Sequence, residues 1–221
     1  MRWSEQAIFF LDFEGSRASG ILEYGVVTLR DAAIVDTATR LCRATGAIRP
    51  EDAGVHGLRE ADGAAHPPFA ADWEYFAGLR ARGPLAAHYA GAENGLLKSV
   101  WPYPRQSPDF ARPGGRTVDW GPWIDTGRLY AELFPRLASG RLEDLVAACG
   151  LQADLDTLAA AHCPPARRRY HAALYDALAG ALLLARLAAE PAAADRSMAW
   201  LLEKSTGDPE KRDALRQGEL L

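Results

Sequence analysis

Apolar residues come in short dense runs in the first third of the chain and in helical stripes afterwards. Ile8-Phe9-Phe10-Leu11 is four consecutive apolar residues rich in β-formers, the pattern of a strand buried on both faces, and it predicts a first strand over 7–12. Residues 21–29 and 33–41 predict a second and a third strand, with Arg30-Asp31 as the tight turn between them, so the three form a meander. Residues 51–60, with Gly54, His56 and Gly57, read as a loop holding a short helix. Pro67-Pro68 opens an amphipathic helix at 69–80 whose apolar stripe is Trp73, Phe76 and Leu79. A short apolar strand at 84–88 and a helix at 92–100 follow. Asp125 is placed to N-cap a helix running to Phe134. Further helices are expected at 141–149, closed by Gly150, and at 154–162. The longest, 170–189, ends at Glu190-Pro191. The tail, 195–221, is expected to carry one or two amphipathic helices on the outside.

Between 101 and 123 the periodicity breaks. Five prolines, three glycines and three tryptophans in that stretch make it a long irregular loop. Its aromatics suit base stacking or packing onto the domain, and composition leaves both open. The element order, strands first and then mostly helices, predicts one mixed sheet with helices against it. The 221 residues, 48% hydrophobic and 24% charged, suffice for such a core without staples. A net charge of -4 excludes a global basic field, so action on a polyanion would need local cations or metal. Three scattered cysteines, Cys42, Cys149 and Cys163, lack metal-ligand spacing and imply free thiols in a reducing compartment. No apolar run approaches membrane-spanning length and no signal segment is visible, so a cytoplasmic protein without membrane contact is expected.

Three segments carry candidate chemistry. Asp12 and Glu14 stand at i and i+2 on the first strand and therefore share a face. Two like charges there repel and lose water unless a cation compensates, and a hard divalent ion is the natural one. A lone pair of this kind is also an ordinary strand end meeting solvent. On the long helix, the neighbours of Asp176 at helical spacing are Ala172, Ala173, Ala179, Gly180, Leu183, Leu184 and Leu187. Asp176 thus faces the interior, where it needs a cation or an arginine. His171, five residues earlier, is about 140° away on an ideal helix and should reach around the site from its start. Glu93 lies in the first turn of a helix, favoured there by the helix dipole or placed as a fourth acid.

The ordered set Asp12-x-Glu14, His88-Tyr89-Ala90-x-x-Glu93 and His171-x-Ala173-x-x-Asp176 resembles the DEDDh 3′–5′ exonucleases, the family that includes ribonuclease T and the proofreading subunit of bacterial replicative polymerase. Leu22-Glu23-Tyr24-Gly25, Val55-His56-Gly57-Leu58, Asp125-Thr126 and Arg141-Leu142-Glu143-Asp144-Leu145 also fit the family's course, so the resemblance spans residues 7–188. It implies an α/β, ribonuclease H-like fold with a central five-stranded mixed sheet flanked by helices. That exonuclease-like domain would occupy 1–190, with a C-terminal helical extension at 191–221. It further implies two Mg²⁺ or Mn²⁺ ions. Asp12, Glu14 and Asp176 would hold the first; Asp12 would bridge to the second, supported by Glu93; His171 would be the general base. Phe13, Gly15, Ser16, His56 and Tyr89 occupy the positions expected to contact the substrate. The implied partner is the 3′ end of single-stranded DNA or RNA, and a homodimer is left open. Arg167, Arg168 and Arg169 are candidates for phosphate contacts or for a solvated basic surface.

The sequence also departs from the family. Tyr89, Ala92 and Glu93 replace the usual Asn, Phe and Asp of the second motif, and Gly15-Ser16 replaces a threonine-rich turn. These changes support one alternative, a catalytically weakened module that binds nucleic-acid ends. A metal-dependent phosphatase of unrelated fold would need a different late pattern from His171-x-Ala173-x-x-Asp176.

Overall fold

Strand alternation sorts the first half of the chain into two faces. In a computed structural model that describes residues 2–112, 114–210, 212, 213 and 215, β1 (Ile8–Ser16), β2 (Gly20–Arg30) and β3 (Ala33–Leu41) form the expected antiparallel meander. Helices α1 (Pro50–His56), α2 (Glu60–Gly63) and α3 (Trp73–Arg82) lead to β4 (Leu85–Ala87), which pairs parallel with β1. After α4 (Gly91–Val100), a small ribbon of β5 (Ser107–Pro108) and β6 (Arg116–Thr117) precedes β7 (Ile124–Asp125), which pairs parallel with β4. The sheet order is β3-β2-β1-β4-β7, a five-stranded mixed sheet. Helices α5 (Thr126–Leu133), α6 (Leu142–Ala148), α7 (Gln152–His162), α8 (Ala173–Leu187) and α9 (Met198–Ser205) complete the chain.

On one face, Ile8, Phe10, Val27 and Leu29 pack beneath α8 and its neighbours. On the other, Phe9, Leu11, Phe13, Tyr24 and Val26 meet Phe69, Phe76, Leu97 and Trp120. By the same alternation Asp12 and Glu14 share the α8 face with Phe10. The long helix can lie there because two positions lack side chains. A Cβ on Gly25 would stand 2.3 Å from the Ala173 carbonyl oxygen, and one on Gly180 would stand 2.2 Å from the Phe10 ring.

Several elements differ from the sequence reading. β1 continues to Ser16, because β2 pairs with it past both carboxylates, opposing Asp12 to Gly25 and Glu14 to Glu23. The fifth strand is only two residues long and shows no period to read. The long helix begins at Ala173, so His171 precedes it. The 101–123 loop is packed onto the domain: Trp120 is fully buried and the Trp101 ring lies 4.8 Å from that of Phe69. Arg80 anchors it, donating to the carbonyls of Asp119, Pro108 and Gly121 at 3.2, 3.0 and 2.9 Å. Leu201 and Leu202 of α9 are buried in the main core, and the expected tail helices at 211, 214 and 216–221 lie outside the described residues. No helix among the described residues is long and apolar enough to cross a membrane.

The close approach of α8 is testable. Gly25→Ala should force the helix away from β2 and cost about 1–3 kcal/mol, lowering Tm by roughly 2–10 °C in calorimetry. An unchanged Tm would mean that the helix does not rest on this glycine.

Candidate active site

Four carboxylates from three parts of the chain meet at the carboxyl end of β1. Asp12 is partly buried, while Glu14, Glu93 and Asp176 retain only 9%, 7% and 8% of their exposure. Burial and neighbouring negative charge raise the proton affinity of all four. Loss of water and then the charges of Asp176, Glu93 and Glu14 push Asp12 well above the ordinary carboxylate range. Burial, followed by Asp176 and Glu23, raises Glu14 to about 8. Burial, followed by Glu14 and Asp176, raises Glu93 to about 8. Burial raises Asp176 to about 7, partly opposed by a hydrogen bond from the His171 amide. Glu93 Oε2 and Asp176 Oδ1 are buried without a protein partner. Oxygens of this kind, aimed together, suit a hard divalent cation. One ligand atom each of Glu14, His171 and Asp176 lies within 4.8 Å of the others, although His171 itself is exposed.

Other polar groups fix these carboxylates. Asp125 caps α5 through the Arg128 amide at 3.2 Å, as the sequence predicts. It also accepts the amides of Tyr89 at 3.1 Å and Ala90 at 3.0 Å, tying down the turn that launches the Glu93 helix. His171 donates its amide to Asp176 Oδ2 at 3.0 Å, with φ at +60°. Glu23, buried to 3%, sits across the ladder from Glu14. It accepts the Ala173 amide at 3.0 Å and pairs with Arg167. The reading of Glu23 and Arg167 from sequence missed this role. The available signal was strand parity, since Glu23 shares a face with Gly25, Val27 and Leu29.

No protein-family model matches the sequence, and no curated protein matches it. Solved structures do match its fold. Exonuclease X in complex with 5′-overhanging duplex DNA is similar at a TM-score of 0.64 and 23% identity, over 88% of this chain and 99% of that one. A 3′-exonuclease solved in 3′-end-specific recognition of a histone mRNA stem-loop gives 0.62 and 14%, over 87% and 85%. The chain has the ribonuclease H-like fold of the DEDDh 3′-exonucleases. The zinc-bound E. coli exonuclease I complex with single-stranded DNA gives 0.62 and 14%, over 85% of this chain and 41% of that one.

Within this exonuclease fold, the residues expected to touch substrate are not all brought to the carboxylates. Phe13 is only 6% exposed and its ring packs 5.3 Å from Phe69 in the opposite-face core, because odd positions of β1 point away from α8. Gly15 forms a bulge at φ +134°, where a Cβ would stand 2.3 Å from the Gly20 carbonyl oxygen. Ser16 closes the β1–β2 turn, donating its amide to Ser19 Oγ at 3.0 Å. His56 is buried; its Nδ1 accepts the Leu58 amide at 3.0 Å, its Nε2 has no partner, and burial lowers its pKa. Tyr89 is half exposed at φ +56°, and its ring covers Gly127 and Gly140. His88 bridges Thr126 Oγ1 at 3.0 Å and the Gly140 carbonyl at 2.9 Å. Arg168 donates to the Cys163 and Ala160 carbonyls, and Arg169 donates to that of His56.

The raised carboxylates fix the sign of a pH effect. Glu14 and Glu93 hold protons in the folded state up to about 8 but release them near 4.5 when unfolded. Without cations the native state therefore binds more protons in that window, and stability falls as pH rises through it. Thermal unfolding of the metal-free protein should show Tm dropping between about pH 5 and pH 8. Mg²⁺ or Mn²⁺ should restore more of it at pH 8, and Glu93→Gln should flatten the slope.

Proposed function

We propose that this protein is a metal-dependent 3′–5′ exonuclease that hydrolyses phosphodiester bonds of DNA or RNA from the 3′ end. The observation that carries the reading is the convergence of Asp12, Glu14, Glu93 and Asp176, with two buried orphan oxygens, beside His171 in this fold. Asp12, Glu14 and Asp176 would hold one Mg²⁺ or Mn²⁺ ion, and Asp12 with Glu93 a second. Bound there, the ions supply neutralisation of the phosphate charge and activation of water. They also reverse the local sign, so a chain of net charge -4 can receive a polyanion.

The protein's own groups divide the remaining work. Glu14, Glu93 and Asp176 would release their protons on binding cations, because the cations offset the burial and the negative charge that raised them. The exposed imidazole of His171 takes the proton of the attacking water, the work of a general base placed beside the carboxylates. Glu14 and Asp176, whose ligand atoms lie within 4.8 Å of that ring, stabilise the imidazolium that results. Tyr89 offers a half-exposed aromatic ring to stack on the terminal base. Neighbours solved with overhanging duplex DNA, single-stranded DNA and an RNA stem-loop support a nucleic-acid substrate of either sugar class.

Digestion of 3′-labelled DNA and RNA oligonucleotides, single- and double-stranded, tests the reading. Shortening from the 3′ end should require Mg²⁺ or Mn²⁺ and stop with EDTA. Asp12→Ala and Asp176→Ala should abolish it with the fold intact. His171→Ala should cost about 10²–10⁴-fold in kcat. Glu93→Asp should stay active. Intact substrate at high protein concentration with Mn²⁺ refutes the activity. Cation-dependent capture of 3′ ends without cleavage would mark the end-binding alternative instead.

A further inference from the structure

Behind the carboxylate cluster lies an ion pair that the proposed chemistry does not use. Glu23 and Arg167 have side chains only 4% and 12% exposed. Arg167 Nε reaches Glu23 Oε1 at 3.1 Å and Nη2 reaches Oε2 at 2.5 Å. Nη1 donates to the His56 carbonyl at 2.7 Å, and Nη2 also donates to the His171 carbonyl at 3.1 Å. A guanidinium with Nε, Nη1 and Nη2 all engaged is built into the structure and is not waiting for a substrate phosphate. Glu23 in turn accepts the first amide of α8, that of Ala173. The pair thus joins β2, α1, the segment before α8 and the start of α8.

His171 sits at the centre of this arrangement. Its carbonyl is held by Arg167 and its amide by Asp176, so both ends of the residue are fixed. Its φ of +60° is one that side-chain-bearing residues adopt rarely and keep only under outside support. With the backbone fixed, the exposed imidazole has only its side-chain torsions left, and these bring it toward Glu14 and Asp176.

We propose that Glu23 and Arg167 are a positioning pair for the site: they hold the His171 backbone in its left-handed conformation so that the imidazole is delivered to the carboxylates. The assignment of work to His171 rests on the exonuclease reading; the positioning itself does not. Lysine at 167 keeps the charge opposite Glu23 but is a point donor, unable to span a carboxylate and two carbonyls. Arg167→Lys should lower kcat roughly 10- to 100-fold, the scale of a small misplacement of a reacting group. KM and Mn²⁺ affinity should stay within about twofold, as the carboxylates are untouched.

The second readout is independent of turnover. Mn²⁺ should broaden the His171 ring resonance in the wild-type protein, with the resonance assigned by its loss in His171→Asn. In Arg167→Lys the broadening should weaken. If Arg167→Lys does not fold by circular dichroism, Glu23→Gln keeps the side chain's shape and one accepting oxygen but removes the other, weakens the pair, and should show the same pattern at smaller amplitude. Unchanged kcat and unchanged broadening overturn the proposal. So does a loss of Mn²⁺ affinity as large as the loss of kcat, because the pair would then support the carboxylates and not His171. If the wild-type protein cuts no oligonucleotide, the exonuclease reading falls, and the broadening comparison alone decides the positioning claim.

Discussion

The structure is organised around a repulsion. Four carboxylates are held together in surroundings that strip away water, and burial followed by neighbouring negative charge raises the proton affinity of all four. Left to themselves such groups would separate or turn outward. Three devices prevent this. The β1–β2 ladder fixes Asp12 and Glu14. The glycine contacts of Gly25 and Gly180 seat α8 and bring Asp176 down onto the sheet. Asp125 ties the turn before Glu93. A fold that spends this much structure on assembling like charges makes chemical sense as a receptor for cations.

Much of this could be read in the sequence because it follows from periodicity. Strand alternation puts Asp12 and Glu14 on one face, and helical spacing shows Asp176 among small apolar neighbours. Both inferences need only local geometry. His171 defeats that logic. Its amide is captured by a side chain five residues downstream, and Ala172 is extended, so helical phase does not apply before Ala173. No propensity marks such a capture. The tryptophans of the 101–123 segment were equally opaque, since composition does not say whether an aromatic stacks inward or outward. Arg80, an isolated arginine on an ordinary helix, decides it by supplying donors to three carbonyls of the segment.

The segment that departs from the exonuclease pattern it resembles is packed as a unit. Tyr89 is bulky where relatives carry Asn, and it fits because Gly127 and Gly140 lie beneath its ring; a Cβ on Gly127 would stand 2.7 Å from it. Glu93 reaches the cluster from a helix whose launching turn is tied by Asp125. The second motif is therefore altered as a packed unit, with its acid still directed at the other three.

The two halves of the cluster are anchored very unequally. Asp12 and Glu14 belong to a strand of 9 residues paired with one of 11. Glu93 hangs from strands of 3 and 2 residues and one carboxylate, that of Asp125. The free energy of opening that corner is small beside that of melting the meander. The amides of the 88–94 turn should then exchange with solvent faster than those of the meander.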